Sequence, residues 1–81
     1  MRPIERIDST MAEIGEIWKK NCPDWRFGQL IFNYISTVGD PFYLEEDAFI
    51  VGLRAYFNNE DPRKAIMDHL EAKFGAGVKN G

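Results

Sequence analysis

The sequence predicts an all-α protein, a small single-domain bundle of three helices plus a shorter or weaker C-terminal fourth helix. Three observations lead there. Apolar residues recur at alternating spacings of three and four in four successive segments, the period of one helix face. Proline, glycine, asparagine and aspartate stand between the segments, where they stop or cap helices. The chain's 81 residues suit one domain, and 44% hydrophobic and 14% aromatic content supplies a core without covalent help.

The first helix is expected over about residues 3–20. Ile4, Ile7, Met11, Ile14 and Trp18 mark its apolar stripe, which Ile17 widens. Pro3 suits a first helical position, and Glu16 and Lys20 are spaced for an i,i+4 pair. Asn21-Cys22-Pro23 interrupts this helix, because proline lacks a donor and pushes the residue before it out of helical dihedrals. Asp24 is the expected cap of a second helix over about residues 25–37, with Phe27, Leu30, Ile31, Tyr34 and Ile35 on its apolar side.

Gly39 is a natural helix stop, and Asp40-Pro41 begins a short link through Phe42, Tyr43 and Leu44. A third helix should start near Glu45, carry Phe49, Ile50, Leu53, Tyr56 and Phe57, and end at Asn58-Asn59. Asp61-Pro62 is a cap followed by a first-turn proline, so Ile66, Leu70 and Phe74, flanked by Ala65 and Met67, predict the fourth helix, closed by Gly75. The domain is thus expected over residues 1–74, with residues 75–81 a flexible C-terminal tail.

Composition bounds the function. No apolar run reaches the length of roughly 18 residues that spans a bilayer, so no membrane partner is expected. The charges of MRPIERIDST break any signal-like apolar core, and Cys22 is a lone cysteine, so the expected location is cytoplasmic. Thirteen acidic against ten basic residues give a net charge of −3, unfavourable for nucleic-acid binding. A helix-turn-helix reading fails similarly: the third helix would present Glu45, Glu46 and Asp47 to the phosphates, with Arg54 its one basic residue.

A resemblance is visible over about residues 6–57. Trp18, then PDWRFGQLIFNYI at residues 23–35, then YLEEDAFIVGL at residues 43–53 resembles a group of small helical bacterial and prophage-borne proteins that includes the YihD-type proteins. The matching features are the tryptophan, a Pro-Asp pair, a glutamine five residues on (Asp24 and Gln29), and an acidic pair, Glu46-Asp47, opening an apolar helix. In the family pattern the tryptophan and proline stand one residue closer, so Cys22 is an insertion here. The resemblance implies an all-helical fold. The family carries no established activity, so it assigns no catalytic or binding residue.

The acidic run Glu45-Glu46-Asp47 has two readings. Hard cations take several carboxylate oxygens, but adjacent helical residues diverge by about 100°, so three in a row do not converge on one ion. Carboxylates in a first helical turn are instead stabilised by its free N–H groups and the helix dipole. His69 is the single histidine, without the Glu-x-x-His spacing of di-iron bundles and with no sequence relation to Ser9, Ser36 or Cys22 that builds a nucleophilic site. Cys22, in a turn, is expected to be accessible but has no activating neighbour in sequence. No catalytic residue, metal or cofactor is therefore expected.

Phe27, Tyr34, Phe49 and Phe57 read as core aromatics. Trp25, Phe42 and Tyr43, at helix ends or in the link, are candidates for a patch that binds a protein partner or a second copy, with Glu45, Glu46 and Asp47 beside them. The expected function is that of a non-enzymatic interaction protein of bacterial or phage origin. The alternative is an acidic inhibitor or nucleic-acid-mimicking decoy, which needs those carboxylates gathered on one face.

Overall fold

In a computed structural model, residues 2–75 are described, so the expected tail lies almost wholly outside the described residues. The protein is all-helical: α1 (Glu5–Asn21), α2 (Phe27–Val38), α3 (Glu46–Phe57) and α4 (Pro62–Leu70), the last running on into a π-helical turn, Glu71–Gly75. The most extensive packing joins α3 and α4, followed by α1 on α3. Among the described residues no helix is long and apolar enough to cross a membrane.

Helix starts differ from expectation at the first two elements. Pro3 and Ile4 precede α1, their carbonyls accepting from Arg6 N and Ile7 N in turns that lead into it. Asp24 does not cap α2. Trp25 N donates to Cys22 O, which folds residues 22–25 into a turn, and α2 starts after Arg26, whose N–H donates to the Gln29 side chain at 2.7 Å. Gln29 thus satisfies the free donor that Asp24 was expected to serve. The last two helices start as expected, α3 after Glu45 and α4 after Asp61, whose carboxylate accepts from Arg63 N at 3.0 Å.

Ile14, Ile17, Leu30, Tyr34, Ile50 and Leu53 form the core. Tyr34 is fully buried, and its hydroxyl donates to Phe49 O of α3 at 2.9 Å. This contact needs Gly52: a Cβ there would lie 2.2 Å from the Tyr34 hydroxyl and 2.7 Å from Ile66 Cδ1. Glycine at that position lets α2 and α4 close on α3 at one point. Trp18 Nε1 donates to Trp25 O at 2.9 Å and so fastens the end of α1 to the following loop.

Several apolar residues lie outside that core. Ile4, Ile7 and Met11 are exposed, because the inward face of α1 runs through Ile14 and Ile17 and its N-terminal half meets α3 on an adjacent side. Phe27 is also exposed, since it opens α2 at the rim of the bundle and stacks on Trp18 instead of entering the core. Phe49 and Phe57 are half-buried against the core, and Phe74, in the π-helical turn, is exposed. Cys22 is buried rather than accessible, and desolvation raises the pKa of its thiol. Glu16 and Lys20 form no ion pair with each other.

Candidate interaction surface

The link between α2 and α3 is a braced turn. Gly39 ends α2 with φ +92°, a left-handed value that favours glycine, and donates its N–H to Ile35 O at 2.7 Å. Asp40 Oδ1 then accepts from Phe42 N at 2.9 Å, and Leu44 N donates to Pro41 O at 3.0 Å. The two bonds fix residues 40–44 around an Asx turn, with proline pre-setting its own φ. Phe42 and Tyr43 occupy the tip, 76% and 90% exposed, with their rings edge to face at 4.8 Å.

Asp40 and Leu44, on either side of that pair, line a shallow cleft of about 200 Å³ with Val38, Arg63, Ile66 and Met67. Leu44 is half-buried, whereas Met67 is 64% exposed, so the cleft beside the link offers aliphatic side chains between the charged Asp40 and Arg63. The sequence placed Met67 beside the α4 stripe but did not show that α4 would bring it to the link. Nothing in residues 62–70 taken alone encodes that juxtaposition.

Trp25 stands apart in character. It is half-buried, packs on the core, and its ring lies 6.1 Å from Phe57, so it is an internal strut at the base of α2.

The three carboxylates are each engaged by a different part of the chain. Arg2 donates to both oxygens of Glu45, at 3.0 and 2.5 Å, and Arg6 of α1 donates to Glu46 at 3.1 Å. Asp47 Oδ2 accepts from Lys73 at 2.8 Å and pairs with His69 Nε2 at 2.9 Å. Lys73 first and His69 second hold the Asp47 carboxyl well below the usual carboxylate range, and Arg2 lowers that of Glu45. The start of α3 is therefore an electrostatic junction that ties the N-terminal segment, α1 and the end of α4 to one helical turn. His69, with 29% of its side chain exposed, belongs to this junction. Cys22 and His69 take no part in a common cluster.

Fold and surface together define a small all-α protein presenting a hydrogen-bonded aromatic turn next to a shallow cleft. Comparisons with protein-family models, curated proteins and solved structures found no match. The surface is interpreted from its own geometry.

Proposed function

We propose that the protein is a non-enzymatic interaction module that binds a protein partner or a second copy through the aromatic turn between α2 and α3. The observation that carries this reading is the exposure of Phe42 and Tyr43 on a turn braced at both ends. Two aromatic side chains held in place lose little conformational freedom on binding, and such residues are the usual energetic anchors of interfaces. The cleft lined by Leu44, Ile66 and Met67 supplies a place beside them for an apolar side chain of the partner. A bacterial or phage origin rests on the sequence resemblance, and a cytoplasmic location on the composition.

The acidic decoy reading requires carboxylates free to stand in for phosphates. Glu45, Glu46 and Asp47 are each paired with a cation of this chain, which favours the interaction module. The test is affinity capture from the native host with light scattering, using wild type, Phe42→Asp with Tyr43→Asp, and Glu45→Gln with Glu46→Gln and Asp47→Asn. The aromatic variant should lose its partner while retaining helical circular dichroism; a partner lost only with the carboxylate variant would support the decoy instead.

A further inference from the structure

One face of α1 is left uncovered by the described residues. Ile4, Ile7 and Met11 follow each other at helical spacing and are 73%, 50% and 52% exposed. Past Ile14, which turns into the core at 6% exposure, the band resumes at the half-buried Trp18, whose ring lies 5.6 Å from that of Phe27, itself 48% exposed. From Ile4 to Trp18 the band is roughly 20 Å long at the helical rise. Its exposed apolar area is roughly 400 Å², comparable to the largest apolar patch of an ordinary monomer, which is often functional. An ordinary interface takes about 800 Å² per partner, of which roughly 500 Å² is apolar in a homodimer, so this band supplies most of the requirement.

The charges beside the band identify what fits it. Asp8 flanks it near its N-terminal end and Lys19 near its C-terminal end, whereas Glu5 and Lys20 project from other faces of α1. Neither Asp8 nor Lys19 makes an ion pair among the described residues, whereas Arg6 and Glu13 on the same helix do. Asp8 and Lys19 fall on the same flank, about 20° apart around the helix. A complementary helix must carry an apolar row at the same spacing, with a basic group opposite Asp8 and an acidic group opposite Lys19. Helix α1 itself, run antiparallel, meets these requirements, because the two-fold sets the flank of one copy beside the same flank of the other.

We propose that two copies of this chain associate through antiparallel packing of α1 on α1, on a surface separate from the aromatic turn. A two-fold axis near residues 12 and 13 sets Ile7 of each copy opposite Trp18 of the other. It also brings Asp8 within about 3 Å along the axis of the level of Lys19 in the second copy. Gly15 fits this arrangement. It lies inside α1, where glycine is less favourable than alanine by about 1 kcal/mol. Among the described residues, nothing beyond its own helical turn comes within 4 Å of where its Cβ would be, so the open space there admits a second helix.

The test is sedimentation velocity across a wide concentration range on the full chain. Wild type should show a reversible monomer–dimer equilibrium that weakens with salt. Met11→Arg should be monomeric with unchanged helical content, since Met11 faces solvent in the single chain. Lys19→Glu should weaken association by roughly fivefold or more, since the two-fold repeats the contact, and adding Asp8→Lys should restore it. Phe42→Asp with Tyr43→Asp should leave this equilibrium intact even where it removes another partner. A chain that stays monomeric throughout, a dimer insensitive to Met11→Arg, or a charge-swapped double variant without recovery would overturn the assignment. So would a dimer that dissociates on changing Phe42 and Tyr43 alone.

Discussion

Replacing Gly52 by alanine should be among the most damaging single changes to this fold. On an exposed helix it would help, because alanine is the better helix former by about 1 kcal/mol. Here the added Cβ meets the Tyr34 hydroxyl at 2.2 Å, Ile66 Cδ1 at 2.7 Å and Ile66 Cγ1 at 2.9 Å. The tip of Ile66 can rotate, but Tyr34 is fully buried and held by its bond to Phe49 O. Either α3 moves away from α2, or the ring shifts and its hydroxyl is left unsatisfied. Overpacking costs about 1–3 kcal/mol and a buried orphaned hydroxyl about 1–3 kcal/mol. Where the ring shifts both costs apply, and after the propensity gain the net loss is roughly 1–5 kcal/mol, a large share of the stability of a domain of this size. Thermal melts followed by circular dichroism should show a midpoint lower by several degrees or more.

A double-mutant cycle isolates the cause. Tyr34→Phe alone should cost about 1 kcal/mol, the ordinary worth of a hydrogen bond. Combined with Gly52→Ala it should cost less than the two changes added, by about 1 kcal/mol or more, because the closest clash has been removed. Strict additivity, or a Gly52→Ala protein as stable as wild type, would refute the reasoning.

Two predictions concern pH. Burial pushes the Tyr34 hydroxyl from its ordinary 10.0 up to about 12. The native state thus holds the proton more tightly than the unfolded chain. Stability from this group is complete below pH 10 and falls as pH rises through 12, by roughly 3 kcal/mol at most. Alkaline denaturation monitored by tyrosinate absorbance should show this loss in wild type and not in Tyr34→Phe. Asp47 has the opposite sign: its carboxyl is depressed from an ordinary 3.8, so its contribution is present above that pH and disappears as pH falls below it. Because the group is partly exposed, Asp47→Asn should cost under about 1 kcal/mol globally at neutral pH. Its main effect should be faster amide exchange at residues 71–75, which Lys73 anchors; unchanged exchange there would refute the anchoring role.

Local structure was legible in the order of residues. Spacing of three and four, together with Pro23, Gly39, Asp61-Pro62 and Asn58-Asn59, located four helices, because helix periodicity and termination are properties of neighbouring residues. That order also explained the acidic run at the start of α3 as helix initiation, which needs only one helical turn. Tertiary structure alone decided which of several apolar stripes found a partner. Ile4, Ile7 and Met11 satisfy the same pattern as Ile14, yet burial depends on how α1 lies across α3, a relation among residues some 40 positions apart. The same distance effect hid the cations that take up Glu45, Glu46 and Asp47, and placed Met67 beside the link. Burial of Cys22 and exposure of Phe42 and Tyr43 were settled likewise, since a loop's residues turn inward or outward according to what the helices beside it leave uncovered.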